Sequence, residues 1–410
     1  MANILLTWEM GAGLGHLTQL LPVGRRLWDE GHHLTIAVQN LDAAHQTIVR
    51  AFPPEPERLT VVQGVAWPPP QDPNVRNVPT PTLADVLRLF RWNQVDLLRE
   101  MTARWDAVVT AARPDLIIAD FSPTLRLAVE GKVPMLVIGT GYSVPPAGRP
   151  LPPIRPWEQA VPPFARANEA EMLFAANRVR HHRQGASVDH FSDLFSGDHT
   201  FVLTIREFDP YGPHRPEGSL PPYNVAPVPP GPLATSRPGE DVFLYLEHSH
   251  PALEPALAAL GRTRLQATVY IGARLPGRPL PALPANVRLN EGLVDFAEVL
   301  PRLRLILHHG GLGTTYAALM AATPQVLFPL NLEHGITARS AVALGCAEAI
   351  QANRPIEPAM VDRAIAAALG AQRAQAAQTA AAKVVRDAPE APTGTLNAIM
   401  ATARRMMAGR

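Results

Sequence analysis

The sequence predicts an α/β protein with two Rossmann-like, doubly wound domains. Three observations support this prediction: short apolar runs alternate with helical patterns, a proline-rich segment separates two sets of these runs, and a glycine-rich turn follows one predicted strand in each set. Ligands of such sheets bind at the carboxyl ends of the strands. Two such sheets facing each other would therefore place their binding loops along one cleft.

Composition narrows the class of protein. Apolar residues make up 47% of the 410 residues and charged residues 18%, which supports large buried cores and excludes a disordered chain. The formal net charge of +1 provides no basic field, so we expect no nucleic-acid partner. The single cysteine, Cys346, excludes an intrachain disulfide and a cysteine-built metal cluster.

The beginning of the sequence and its hydropathy bear on location. Residues 1–10 lack the basic and apolar regions of a signal peptide, and no run of 18 apolar residues is present. We therefore expect a cytoplasmic protein without a transmembrane segment. The stretch 86–105 is amphipathic and basic, so it could contact a membrane surface, although a helix packed on the sheet explains it more simply.

The first half supplies six apolar runs that we predict to be strands. They lie at 3–8, 33–39, 58–63, 115–119, 135–139 and 200–205. Helical patterns lie between them at 16–30, 82–112 and 164–185.

The second half repeats this alternation. Strands are predicted at 242–246, 266–271, 286–289, 303–308, 325–328 and 347–350, with helices near 251–261, 314–322, 335–345 and 356–369. Gly345 and Gly370 stand where a helix end favours a left-handed residue. Residues 395–409 look like a terminal helix with a basic end.

These patterns predict the domain boundaries. The N-terminal domain would span 1–227, and the proline-rich linker would span 228–240. The C-terminal domain would span 241–392, and the helix within 393–410 could pack back on the N-terminal domain.

The first glycine-rich turn, GAGLGH at 11–16, follows the first strand. A dinucleotide fingerprint would have glycine at its sixth position, where this chain has His16. A histidine at the carboxyl end of a strand is a candidate general base, and Asp120, at the end of another strand, could orient it. The simpler alternative is that both residues cap helices.

The second turn follows the strand LRLILH. His309, Gly310, Gly311, Gly313, Thr314 and Thr315 lead into a helix, an arrangement typical of phosphate binding. No lysine follows the glycines, so the turn is not a P-loop. Downstream, Glu333 and His334 could bind sugar hydroxyls. The alternatives are a tight turn capped by a threonine and, for 333–334, a capped loop.

Together these segments resemble the inverting glycosyltransferases of the GT-B fold, the family of the UDP-glycosyltransferases and of bacterial natural-product and rhamnolipid-type glycosyltransferases. The resemblance rests on residues 15–38, 114–139 and 287–346. It implies that His16 is the catalytic base and Asp120 its partner, and that the loop with Gly13 and Gly15 contacts the acceptor. The 309–315 turn would bind the donor diphosphate, and Glu333 and His334 the donor sugar.

The sequence also departs from the family pattern. The family usually has Asp-Gln where this chain has Glu333-His334, and its glycine-serine turn is replaced by EHSH at 247–250. The ribose-binding glutamate of many members falls on Ala317. The diphosphate site therefore looks intact, while the preference for base and sugar looks unusual.

The resemblance implies a metal-independent, inverting transfer from a nucleotide-diphosphate sugar, such as a UDP-sugar, to a small, apolar acceptor, with no other cofactor. It also implies that the N-terminal domain, 1–227, binds the acceptor and that the C-terminal domain, 241–392, binds the nucleotide sugar. The prolines and aromatic residues of 67–81 and 142–163 suit an acceptor wall. The alternatives are a nucleotide-sugar epimerase or isomerase of the same fold and an inactive, glycosyltransferase-like helper subunit.

Overall fold

The computed structural model describes residues 1–410 except 12, 54, 56, 72–74, 76–77, 216–217, 224–240, 293, 389–392 and 410. The chain divides into two compact units, here called unit 1 (residues 1–224 and 393–410) and unit 2 (residues 225–392). The predicted linker, 228–240, lies outside the described residues.

Unit 1 contains a parallel six-stranded sheet. Its strands are β1 (Asn3–Trp8), β2 (His33–Val38), β3 (Leu59–Gln63), β4 (Leu116–Asp120), β5 (Met135–Thr140) and β6 (His199–Leu203), in the order β3-β2-β1-β4-β5-β6. β1 and β4 are buried along almost their whole length, which explains why they read as continuous apolar runs. The order reverses between β1 and β4, which is where a doubly wound sheet binds its ligands.

Among the described residues, six α-helices connect these strands. They are α1 (Gly15–Asp29), α2 (Leu41–Ala51), α3 (Leu83–Leu89), α4 (Val95–Ala112), α5 (Pro123–Val129) and α6 (Pro163–His182). The prediction of a single helix over 82–112 was wrong, because the helix is interrupted at Arg91, whose backbone has a left-handed φ of 62°. The break separates α3 from α4.

The amphipathic stretch 86–105 is packed inside unit 1. Trp92 and Trp105 are fully buried, and Met101 and Trp105 join the core formed with Leu5 and Ile117 of the sheet. The packed-helix interpretation of this stretch is therefore correct, and its apolar face is not available to a membrane. None of the helices in the described ranges combines the length and apolar character that a membrane span requires.

Unit 2 repeats the same topology. Its strands are β7 (Val242–Glu247), β8 (Ala267–Gly272), β9 (Val287–Leu289), β10 (Leu305–His308), β11 (Gln325–Leu327) and β12 (Ala347–Ala349), all parallel, in the order β12-β11-β10-β7-β8-β9. Here the order reverses between β7 and β10. The loops after these two strands therefore occupy the position expected to bind a ligand.

The described helices of unit 2 include two that the sequence did not predict, at 296–299 and 371–387. They are α7 (Leu253–Gly261), α8 (Phe296–Val299), α9 (Leu312–Met320), α10 (Leu332–Ala343), α11 (Pro358–Ala368) and α12 (Ala371–Asp387). Gly345 has the predicted left-handed conformation, with a φ of 76°. Gly370 does not: with a φ of −66° it is the N-cap of α12, because a new helix starts directly after α11.

The last helix, α13 (Thr393–Ala408), belongs to unit 1. Ile399, Met400 and Ala403 are buried in the core that also contains the apolar face of α1. An ion pair between Arg404 and Glu30 lies at the edge of this contact. Helix α13, near the end of the sequence, thus packs into the same core as β1, the first strand.

Candidate active site

His16 and Asp120 lie together at the point where the strand order of unit 1 reverses. His16 is in the first turn of α1, after β1, and Asp120 ends the neighbouring strand β4. Nδ1 of His16 lies 2.5 Å from Oδ2 of Asp120, although 104 positions separate the two residues. Asp120 is fully buried and the His16 side chain is 15% exposed. Neither residue is a helix cap, since Leu14 precedes α1 and Ser122 precedes α5.

The second carboxylate oxygen of Asp120 is also bonded. The hydroxyl of Ser143, in the loop after β5, donates to Oδ1 at 2.9 Å, and Ser143 Oγ accepts from the amide of Thr140 at 2.9 Å. Asp120 is therefore held at both oxygens. Because its carboxylate accepts from Nδ1 of His16, that nitrogen carries a proton, and Nε2 is the basic nitrogen of the neutral ring.

Gly11 determines whether Nε2 of His16 is accessible. Its φ is 88°, and a Cβ on it would lie 2.5 Å from that nitrogen. Trp8 stacks under the imidazole with ring centroids 6.3 Å apart, and its indole N–H donates to the carbonyl of Gly11 at 3.1 Å. The predicted acceptor-loop residues Gly13 and Gly15 have neither a positive φ nor a close side-chain neighbour. The steric requirement for glycine therefore falls on Gly11, which the sequence analysis did not single out.

The second glycine turn follows β10 in unit 2. Gly310 has a φ of 90°, and Nδ1 of His309 accepts from the amide of Gly311 at 3.2 Å. Burial, followed by the nearby His334 and His250, lowers the pKa of His309 to about 3. The ring is therefore neutral at pH 7, and its Nε2 carries a proton that it can donate.

Helix α9 begins directly after this turn. Its first amides have no carbonyl partner within the helix, and the Cβ position of Gly313 has open space around it. Thr314 is half-buried in the same first turn. Thr315, in contrast, is fully buried and its hydroxyl donates to the carbonyl of Gly311 at 2.9 Å. The structure therefore gives Thr315 a role in supporting the turn instead of the direct phosphate contact that the sequence suggested.

Glu333 and His334 lie in the first turn of α10, which Asn331 caps by accepting from the amide of His334 at 2.9 Å. The ring centroids of His334 and His309 are 4.6 Å apart, so one predicted sugar residue adjoins one predicted diphosphate residue. Nδ1 of His334 is buried and has no hydrogen-bond partner among the described residues. Burial, then His308 and His250, lowers the pKa of His334 to about 4.

The EHSH segment forms a braced loop after β7. His248 and His250 of this segment are both buried. The Nε2 of His250 donates to the carbonyl of Phe328 at 3.1 Å, and the Nε2 of His248 to that of Pro279 at 3.2 Å. Within the described ranges, no group of three or more histidine, cysteine or acidic side chains has an arrangement that could hold a metal ion.

The proline-rich stretches of unit 1 border an open, shallow pocket of about 480 Å³. Its lining comes from the two stretches predicted to form an acceptor wall and from the start of α6: Pro79, Thr80, Pro81, Arg155, Glu158, Ala160, Pro162 and Phe164. Phe164 and the neighbouring Trp157 are exposed, whereas Trp92 is a fully buried core residue.

Two sequence matches to known proteins each cover part of this chain. Residues 257–399 match the "Erythromycin biosynthesis protein CIII-like, C-terminal domain". The chain is 32% identical over 177 residues to an O-mycaminosyltylonolide 6-deoxyallosyltransferase of Streptomyces fradiae, a match that covers 40% of each chain.

Two solved structures share the fold over nearly the whole chain. The calicheamicin glycosyltransferase CalG4 is 19% identical with a TM-score of 0.63, covering 98% of each chain. The glycosyltransferase VinC, solved in complex with dTDP, is 16% identical with a TM-score of 0.64, covering 98% of this chain and 100% of VinC. The predicted fold class is thereby confirmed.

Proposed function

We propose that this chain, which has the GT-B fold of the natural-product glycosyltransferases, transfers a sugar from a nucleoside-diphosphate donor to a hydroxyl group of a small acceptor. The observation that carries the proposal is the 2.5 Å contact between His16 and a fully buried Asp120 at the strand reversal of unit 1. The named relative is a transferase, so the epimerase and helper-subunit alternatives are not favoured.

In this mechanism His16 is the general base. Its Nε2 takes the proton of the acceptor hydroxyl as the acceptor oxygen forms a bond to the anomeric carbon of the sugar. The bond from that carbon to the diphosphate oxygen breaks, and its electron pair leaves with the nucleoside diphosphate. Asp120 holds the ring by Nδ1 and stabilises the imidazolium that forms. A single displacement of this kind inverts the anomeric configuration.

On the donor side, the turn after β10 would receive the diphosphate. The free amides at the start of α9, the hydroxyl of Thr314 and the Nε2 proton of His309 would stabilise the negative charge of the leaving group. These donors make a metal ion unnecessary in the proposed mechanism. The unpartnered Nδ1 of His334 and the carboxylate of Glu333 are the proposed contacts of the donor sugar.

The first test compares wild type with His16→Ala. Thermal unfolding is measured with UDP, dTDP, GDP and NAD in parallel, and transfer is followed by release of the nucleoside diphosphate. A ligand present at 100 times its dissociation constant stabilises the folded protein by about 2.7 kcal/mol, which gives a clear shift in melting temperature. We expect one nucleoside diphosphate to stabilise both proteins, and His16→Ala to lose transfer.

The matched variant is His309→Ala, for which the expectation is reversed: the stabilisation by the nucleoside diphosphate should weaken. Stabilisation by NAD alone would contradict the proposed donor class. Loss of nucleotide binding in His16→Ala would contradict the assignment of His16 as the base, and unchanged binding in His309→Ala would contradict the donor site.

A further inference from the structure

Glu9 is a buried acidic residue that the proposed mechanism does not use. It follows β1 directly and is 1% exposed. Its Oε1 accepts from the indole N–H of Trp67 at 2.5 Å. Its Oε2 accepts from the backbone amides of Thr124 at 2.9 Å and Leu125 at 3.2 Å. All three of these hydrogen-bond donors are neutral groups.

These contacts join the ends of four neighbouring strands. Trp67 follows β3, and Thr124 and Leu125 follow β4. Gln39 follows β2, and its Nε2 donates to the backbone carbonyls of both Glu9, at 2.6 Å, and Gly11, at 3.0 Å. In the sheet these strands are adjacent in the order β3-β2-β1-β4. Glu9 is therefore bonded to the loop of every strand from the edge of the sheet to the strand reversal.

Hydrogen bonds of these loops also hold the backbone near the two proposed catalytic residues. Gly11, held by Gln39, is the residue that lies against Nε2 of His16. The amide of Met10 donates to the carbonyl of Phe121 at 3.0 Å, directly after Asp120. The start of α5, which the Glu9 carboxyl bonds, follows Asp120 by three residues. Glu9 and the two residues after it, Met10 and Gly11, thus link the backbone segment that leads to His16 with the segment that follows Asp120.

Burying the carboxyl group of Glu9 in its charged form costs free energy. Burial raises the pKa of Glu9 to about 7, although its hydrogen bonds act in the opposite direction. An unpaired carboxyl in this position would be more unfavourable still, since buried polar groups without partners are strongly destabilising. Losing any one of these three hydrogen bonds would therefore destabilise the folded protein, which favours the positions that Trp67, Thr124 and Leu125 have in the structure.

We propose that Glu9 is a positioning residue for the His16–Asp120 pair, and that it acts by accepting from Trp67, Thr124 and Leu125 at once. The inference rests on the proposed role of His16 as the base. Glu9 touches neither substrate nor the reacting atoms in this scheme. Its loss would let the loops after β1 and β4 shift relative to each other, and the 2.5 Å hydrogen bond between His16 and Asp120 would lengthen.

The test observes that hydrogen bond directly in protein labelled with [15N]histidine. A short hydrogen bond to a carboxylate gives a strongly deshielded Nδ1 proton, and its signal is assigned to His16 by its absence in His16→Gln. In Glu9→Gln the side-chain NH2 group must face at least one of the three donors, and that hydrogen bond is lost. We therefore expect the Nδ1 proton signal of His16 to move upfield or disappear. Trp67→Phe removes one donor and keeps the aromatic ring, so it should shift the signal in the same direction and serves as the test if Glu9→Gln does not fold.

The matched control is Glu100→Gln, which changes the same group on the exposed surface of α4, where Glu100 pairs with Arg104. Its signal should equal that of wild type. An unchanged signal in both Glu9→Gln and Trp67→Phe would overturn the proposal.

Hydrolysis of dTDP-glucose or UDP-glucose by water, with melting shifts by dTDP and UDP, provides the functional comparison. We expect Glu9→Gln to keep the melting shift of wild type and to hydrolyse the sugar nucleotide about 10- to 100-fold more slowly, the cost of a slightly misplaced catalytic group. If none of UDP, dTDP and GDP stabilises wild type, the proposed function fails. The proton signal still decides the role of Glu9 in that case.

Discussion

Gly11 occupies a position where any side chain would cover the proposed catalytic nitrogen of His16. We expect Gly11→Ala to reduce transfer by at least about 100-fold, because its Cβ would lie 2.5 Å from Nε2 and displace the ring. The measurement is kcat with the donor at saturation, together with the melting temperature.

Gly31→Ala is the control for this prediction. Gly31 has a φ of 90°, close to that of Gly11, but nothing lies near its Cβ position. The control should lose about 1–2 kcal/mol of stability from left-handed strain and keep full activity. Equal losses of activity in the two variants would mean that backbone strain, and not access to Nε2, explains the effect of Gly11.

At this scale the sequence predicted the residues with a recognisable motif and missed those that support them. His16 and Asp120 were predicted because each follows an apolar strand and fits a known segment. Ser143, Glu9 and Gln39 have no such motif. Their roles depend on which strands are neighbours, and a parallel sheet brings together loops that are far apart in the chain.

Among the elements, α13 makes the most distant contribution to unit 1. Ile399 is fully buried against the core shared with α1, so Ile399→Ala should lower the free energy of unfolding of unit 1 by about 2–5 kcal/mol. Arg404→Ala removes only a surface ion pair with Glu30, so it should cost at most about 1 kcal/mol. Denaturant unfolding followed by tryptophan fluorescence checks both, since all six tryptophans lie in unit 1. Equal effects would show that α13 is held by charge and not by packing.

The elements that the sequence missed have weak apolar patterns. Helix α12 buries mainly alanines, Ala377, Ala380 and Ala381, together with Val384, so its buried face carries few large side chains. Its start at Gly370 was consequently mistaken for a helix end. The break at Arg91 was missed for a different reason: the apolar residues of α3 and α4 continue one periodic pattern across it, and the left-handed residue is an arginine.

For the molecule as a whole, pH should affect the two units differently. In unit 2, burial lowers the pKa values of His250, His308, His309 and His334 to between about 3 and about 4. The unfolded chain binds protons at these residues from about pH 6.5 downward, so their contribution to stability is complete above that pH and is lost as the pH falls toward 4. For His308, which is fully buried, the loss at pH 5 is about 2 kcal/mol.

Glu9 in unit 1 has the opposite dependence. Its pKa of about 7 in the folded protein lies above that of the unfolded chain, so acidification from pH 7 to 5 does not cost stability there. We therefore expect unit 2 to unfold first at pH 5. Far-UV circular dichroism, which reports both units, should show a transition that precedes the change in tryptophan fluorescence. If the two signals move together, the buried histidines do not set the acid stability.

The sequence by itself determined the two parallel-sheet units and the positions of their strands, because fully buried strands require continuous apolar runs and tight turns require glycine. It also identified His16, Asp120 and the turn at 309–315 as candidates. Only the tertiary structure decided that His16 bonds Asp120, that Thr315 supports its own turn, that His248 and His250 are buried braces and that Glu9 joins four loops. The physical reason is that strand order in a parallel sheet sets which loops meet, and strand order is not written in the local pattern of any segment.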